Sequence, residues 1–119
     1  MKDNVEIYTT SLVHVIQDSR EYREYEAAKA KLAEFPELKK QINIYRRDMF
    51  RLQNFTDPES IYDRLEEFER ETLEFRRNPL VEEYLRTELA ICRVLQKTAR
   101  TVMEAVDLEL DDVIWELRD

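Results

Sequence analysis

The longest uninterrupted helical pattern in the sequence covers residues 78–106. Apolar side chains recur there in steps of three and four, which is the period of an α-helix. Asn78 is a good N-cap residue, and Pro79 suits the first helical position because its missing N–H costs nothing there. No Gly or Pro interrupts the pattern after Pro79. We therefore predict a helix from Pro79 to Val106, roughly 40 Å long at about 1.5 Å per residue.

The apolar face of this predicted helix is unusually wide. Its main row is Val81, Leu85, Leu89, Cys92, Leu95, Ala99, Val102 and Val106, and a second row beside it is Leu80, Tyr84, Ile91, Val94 and Met103. A helix over a single core rarely needs so wide a face, so we expect contact with more than one other helix. The centre is predicted to be core: Leu85, Leu89, Cys92 and Leu95. We predict that Tyr84, Met103 and Trp115 lie at a surface that a partner covers.

These expectations give five predicted interaction residues: Tyr84, Leu85, Leu89, Met103 and Trp115. The substitution Leu89→Asp is predicted to break either the fold or a dimer, because it places a charge in the middle of the apolar face.

The absence of glycine restricts the fold class. The chain has 119 residues, no Gly and three Pro, whereas β-rich folds depend on turn residues of these types. We predict an all-α protein with one domain over residues 1–119. It is expected to be an antiparallel bundle of about four to five helices, dimeric, with a long C-terminal helix and an acidic amphipathic tail at 107–119.

The order of helices can be predicted from caps and breaks. A short amphipathic segment covers residues 5–17, and Asp18 with Glu21 has the spacing of a capping box, so a second helix can start near Ser19. Pro36 disfavours the helical conformation of the residue before it. Both a bent helix and two helices fit this pattern, and we favour a break of one or two residues. After a loop at 54–57, a helix starting at Pro58 is predicted to run through Arg77.

The net charge and the cysteine content exclude several classes of function. The formal net charge is −8, which argues against a general binder of nucleic acid or anionic membranes. No apolar run approaches the roughly 18 residues that span a bilayer, and no signal peptide is evident. One cysteine excludes an intramolecular disulfide, so we expect a cytoplasmic protein.

Catalytic and metal-binding arrangements are not supported by the sequence. His14 is the only histidine and Cys92 the only cysteine, and both fit ordinary packing roles. Adjacent carboxylates such as Glu66 and Glu67 point in different directions on a helix and do not form an acid–base pair. A di-metal helical bundle needs two Glu-x-x-His motifs, which one histidine cannot supply. We predict no enzyme, no metal site and no cofactor.

A basic cluster keeps one alternative open. It consists of Lys39, Lys40, Arg46, Arg47 and Arg51. With Tyr45 and Phe50 nearby it could contact RNA, although Glu37 and Asp48 dilute its charge. A titration with structured RNA at two salt concentrations separates this alternative from a protein–protein role.

Three stretches resemble the YlbF/YmcA family of bacterial regulators. They are SREYREYEAAKAKLAEFPELKKQINIYR at 19–46, MFRLQN at 49–54, and NPLVEEYLRTELAICRVLQ at 78–96 followed by VDLELD at 106–111. The resemblance covers residues 13–111, and it is supported mainly by the order and spacing of the three stretches.

The resemblance implies an all-helical, dimer-forming, cytoplasmic accessory protein without catalytic activity. In the best-studied bacilli, two related members join a third protein in a complex that influences competence, sporulation and biofilm formation. That complex affects mRNA processing by the membrane endoribonuclease RNase Y and is associated with iron–sulfur clusters. A four-iron cluster takes four thiolates, and this chain has one. The resemblance thus implies a regulatory adaptor that forms a homodimer or a heteromeric complex with related members, and we expect no membrane or direct nucleic-acid contact.

Overall fold

A computed structural model describes residues 3–106, which form six α-helices and no strand. The helices are α1 (Asn4–Gln17), α2 (Arg20–Leu32), α3 (Pro36–Phe55), α4 (Ile61–Glu71), α5 (Leu73–Arg77) and α6 (Pro79–Ala105). The all-α prediction is confirmed, and the predicted long helix is correct to within one residue. The tail at 107–119, with Trp115, lies outside the described residues.

The start of α6 has the predicted cap. The Oδ1 atom of Asn78 accepts a hydrogen bond from the backbone N–H of Leu80 at 2.9 Å, and Pro79 occupies the first turn. Helix α2 starts next to Ser19, as predicted, but its capping residue differs from the predicted Asp18. Ser19 is its N-cap, accepting from the N–H of Tyr22 at 3.2 Å, while Asp18 ends α1.

A break separates α2 from α3, as favoured from the sequence. It covers residues 33–35, one residue more than expected. Phe35 has φ −130° and ψ 70°, outside the helical region, as its position before Pro36 requires. Its N–H donates to the carbonyl oxygen of Leu32 at 2.8 Å, which closes the turn.

The predicted helix from Pro58 to Arg77 is wrong in two respects. Helix α4 begins only at Ile61, and the chain is interrupted at Thr72 before α5. Thr72 donates its hydroxyl hydrogen to the carbonyl oxygen of Phe68 at 2.7 Å. Arg76 donates to the carbonyl oxygen of Glu69 at 2.7 Å, beyond the normal helical spacing. These side chains satisfy backbone groups at the joint, so the helix can break there.

The core of the described residues is small and lies where α2, α3 and α6 meet. Its buried members are Ala28, Leu32, Ile42, Val81 and Tyr84. An aromatic group extends it towards α4 and α5, with the Tyr45 ring 5.5 Å from that of Phe68 and 5.6 Å from that of Phe75. The contact between α2 and α6 is the most extensive one between helices.

The side of α6 that faces this core differs from the predicted side. The buried residues of α6 are Val81, Tyr84, Thr87 and Ile91. Leu89, Cys92 and Leu95 were predicted as core and are exposed. Leu85 is half-buried and packs against the core. The neighbouring helices cover the side of α6 that carries the second apolar row, and they cover it only in its N-terminal half, which is why the prediction failed.

Tyr84 was predicted at the surface, and this placement is wrong because Tyr84 is 2 % exposed. Its ring lies against that of Tyr25, with centroids 5.6 Å apart, and its hydroxyl oxygen is 3.4 Å from the Tyr25 hydroxyl oxygen. The ammonium group of Lys39 donates to the same hydroxyl oxygen at 2.6 Å. A buried tyrosine needs such partners for its polar end, and here α2 and α3 supply them.

Candidate interaction surface

A row of apolar residues on α6 has no covering partner within the described chain. We call it the α6 seam, and it comprises Leu89, Cys92, Leu95, Ala99, Val102 and Val106. All six are exposed, with Leu89 at 51 % and Leu95 at 48 %. From Cys92 to Val102 the steps are three, four and three, which is the a/d spacing of a coiled coil, and Val106 is the C-cap residue that follows the helix. Such a spacing is typical of a helix that packs along a second helix.

A second uncovered row lies on α1. We call it the α1 stripe, and it comprises Val5, Tyr8, Leu12 and Val15. None of the residues of α1 is buried, and Tyr8 is 73 % exposed. A shallow groove of about 350 Å³ follows the stripe and is lined by Asn4, Val5, Tyr8, Thr9 and Leu12. Both rows belong to regular helices, so the apolar side chains of each row lie on one side of their helix.

Two ion pairs connect the N-terminal half of α6 to its neighbours. Lys31 on α2 lies 3.0 Å from both carboxylate oxygens of Glu83. Arg46 on α3 lies 3.0 Å from Glu88, whose side chain is 20 % exposed. Both cations are exposed, so the pairs add little to stability beside the buried Tyr84 cluster.

The polar cluster beneath α6 changes the titration of its members. Burial, followed by the nearby charge of Arg46, lowers the pKa of Lys39 below its usual value. The hydrogen bond to Tyr84, followed by burial, raises the pKa of Tyr25. Burial is thus the main cause of the Lys39 shift, whereas for Tyr25 it adds to the larger effect of the hydrogen bond.

Some of the predicted interaction residues lie in the core and others lie at the surface. Met103 lies at the surface beside the α6 seam, at 51 % exposure, and its contact with a partner stays a prediction. Leu89 is available on the seam, Leu85 is half-buried, and Tyr84 is occupied inside the chain. Trp115 is outside the described residues.

Sequence reasoning missed Thr87, which is buried although polar. Its hydroxyl group donates to the carbonyl oxygen of Glu83 at 2.8 Å, so its polar atom is satisfied within α6. The three-and-four spacing to Tyr84 and Ile91 was the available signal. It was passed over because a hydroxyl residue is not counted as apolar.

The chain matches a known protein family. The sequence model for the control of competence regulator ComK, YlbF/YmcA, matches residues 7–107. The chain belongs to the YlbF/YmcA family. The match includes the whole α6 seam and the α1 stripe from Tyr8 onward, whereas Val5 precedes it. No curated protein and no solved structure matches the chain.

The YlbF/YmcA family is one of competence regulators, in agreement with the resemblance inferred from the sequence. Among residues 3–106, no helix is long and apolar enough to cross a bilayer. Within the same residues, no three His, Cys, Asp or Glu side chains are grouped so that they could hold a metal ion.

Proposed function

We propose that this YlbF/YmcA-family chain is a non-catalytic regulatory subunit that works in the cytoplasm through helix-mediated protein–protein contact. The observation that supports the proposal is the α6 seam, a heptad-spaced apolar row left open on an otherwise well-anchored helix. Large exposed apolar patches on soluble proteins mark interaction sites.

The first partner in this proposal is a second copy of the chain. Homodimers with two-fold symmetry are the commonest assemblies of soluble proteins, and the same uncovered surface on each chain supplies a repeated contact. Related family members with the same spacing could exchange into the assembly. The substitution Leu89→Asp is now expected to weaken the dimer and spare the fold, since Leu89 is half exposed.

The test compares Leu95→Asp with Gln96→Asp by light scattering over a concentration series. Both variants add one negative charge at adjacent exposed positions of α6, but only Leu95 belongs to the seam. We expect the wild type and Gln96→Asp to be dimers, and Leu95→Asp to be a folded monomer with unchanged helix content. A wild-type chain that stays monomeric at every concentration contradicts the homodimer.

Direct RNA contact is the weaker candidate. Arg46 is engaged with Glu88, and Arg47 lies 3.7 Å from Asp48, so two members of the basic cluster are already neutralised. Lys39 is directed at the Tyr84 hydroxyl. Phosphate binding requires cations that are free to replace counterions, and the chain as a whole carries −8. These observations favour the protein–protein role.

A further inference from the structure

The α1 stripe and the α6 seam have the same spacing. The stripe runs Val5, Tyr8, Leu12 and Val15, with steps of three, four and three. Read backwards, the seam runs Val102, Ala99, Leu95 and Cys92, with the same steps. An antiparallel pair of helices brings a positions of one helix against d positions of the other, so these two rows can be aligned without a slip in register.

We propose that α1 of one copy packs antiparallel on the α6 seam of a second copy. This proposal rests on the homodimer proposed above and names the surfaces that form it. Tyr8 then lies opposite Ala99, and Val15 opposite Cys92, so larger side chains meet smaller ones. Leu12 lies opposite Leu95. Alternation of large and small residues is what close packing between helices requires.

The lengths of the two surfaces agree. Helix α1 has 14 residues and is about 21 Å long. The seam from Leu89 to the end of α6 has 17 residues and is about 25 Å long. Two-fold symmetry repeats the contact, so each chain both donates an α1 and receives one.

Charge favours this pairing over the contact of two α6 helices. In the described part of α1 and its caps the charged residues are Asp3, Glu6 and Asp18, all acidic. Residues 92–105 of α6 hold Arg93, Lys97 and Arg100 against one acid, Glu104. Two α6 seams facing each other bring like charges together, whereas α1 brings the opposite sign.

Side-chain size favours the antiparallel direction. The steps of three, four and three read the same in both directions, so the spacing fits both alignments. A parallel alignment sets Tyr8 against Leu95, which are both large, whereas the antiparallel alignment sets Tyr8 against Ala99. Glu6 and Arg100 lie about 140° and about 120° from the middle of their apolar rows, on the outer sides of the helices, so these two charges do not select the direction.

The single native cysteine makes the arrangement measurable. Cys92 is exposed and lies on the seam, opposite Val15 in the proposed pair. A chain carrying Val15→Cys and Cys92→Ala is mixed with the wild type, equilibrated, and treated with a short bismaleimide. Any product that joins the two kinds of chain is identified by mass spectrometry. A contact of α1 with its own α6 cannot form this product.

We expect a joined heterodimer with Val15→Cys. Two control chains carry Cys92→Ala with either Thr10→Cys, on the opposite side of α1 from the stripe, or Val5→Cys, at the far end of the stripe. Neither control is expected to join to the wild type. Light scattering on the same samples reports whether they are dimers.

Three results overturn the proposal. Joining by Val5→Cys in place of Val15→Cys means that the helices run parallel. A product joined through Cys92 of two wild-type chains, with none from Val15→Cys, means that the seams face each other. Equal joining by Thr10→Cys means that α1 has no fixed contact. In all three cases a dimer mass leaves the proposed homodimer standing, whereas monomers remove the homodimer together with this interface.

Discussion

At the scale of single residues, the hydroxyl group of Tyr84 links three helices. It accepts from Lys39 of α3 at 2.6 Å and lies 3.4 Å from the Tyr25 hydroxyl oxygen of α2. The Lys39 ammonium also lies 4.2 Å from the centre of the Tyr84 ring, within the range of a cation–π contact. The polar atoms of the cluster therefore depend on one another.

Removal of this hydroxyl group is expected to destabilise the fold. Tyr84→Phe keeps the buried ring but leaves Lys39 and Tyr25 without their shared partner. We expect the free energy of unfolding to fall by about 1 kcal/mol, measured by urea denaturation at neutral pH. Tyr62→Phe is the matched control, since Tyr62 is 82 % exposed, and it should change stability by less than about 0.5 kcal/mol. Equal effects of the two changes would mean that the cluster contributes nothing specific.

At the scale of elements, α3 illustrates how one helix divides into buried and exposed sides. Ile42 is completely buried against α2 and α6, whereas Ile44, two positions later, is 47 % exposed. Two residues on a helix are about 200° apart, so one isoleucine faces the core and the other faces away.

This division gives a prediction with an internal control. Ile42→Ala removes three buried carbon atoms and is expected to cost about 2–5 kcal/mol. Ile44→Ala removes the same atoms from a half-exposed position and should cost less than about 1 kcal/mol, since alanine is the better helix former. Thermal and urea unfolding of the two variants measure the difference. A cost for Ile44→Ala as large as that for Ile42→Ala contradicts the assigned orientation of α3.

The helices themselves could largely be predicted from sequence, but the side of α6 that faces the core could not. Asn78, Pro79 and Pro36 act on the backbone next to them, so their effect can be recognised from the sequence alone. The orientation of α6 depends instead on which neighbours reach it. An apolar row that packs inside the chain and one that packs on a partner have the same spacing, so Leu89 and Leu95 were indistinguishable from Val81.

At the scale of the whole molecule, the chain is extended. The radius of gyration is 18.4 Å, compared with roughly 13.5 Å expected for a compact domain of 119 residues. The extents of 51 × 40 × 20 Å describe a flat, open arrangement of helices. Such a shape leaves much apolar surface in water, which the proposed dimer would cover.

Association on this scale should make stability depend on concentration. A dimer that forms only from folded chains stabilises them by mass action. We expect the melting temperature of the wild type to rise with protein concentration in differential scanning calorimetry. Leu95→Asp should melt lower, at a temperature that does not change with concentration. A wild-type melting temperature that is constant over the same range contradicts a coupled dimer.

The exposure of α1 gives the proposed dimer a further consequence. Isolated helices shorter than about 12–15 residues are marginal in water, and α1 has 14 residues, none of them buried. In the proposed dimer a second chain covers the α1 stripe, so the amide hydrogens of α1 should exchange with solvent more slowly as the protein concentration rises. In dilute solution α1 should fray and become sensitive to proteases. Under this proposal, the amount of the protein in the cell would set the fraction of chains in which α1 is covered.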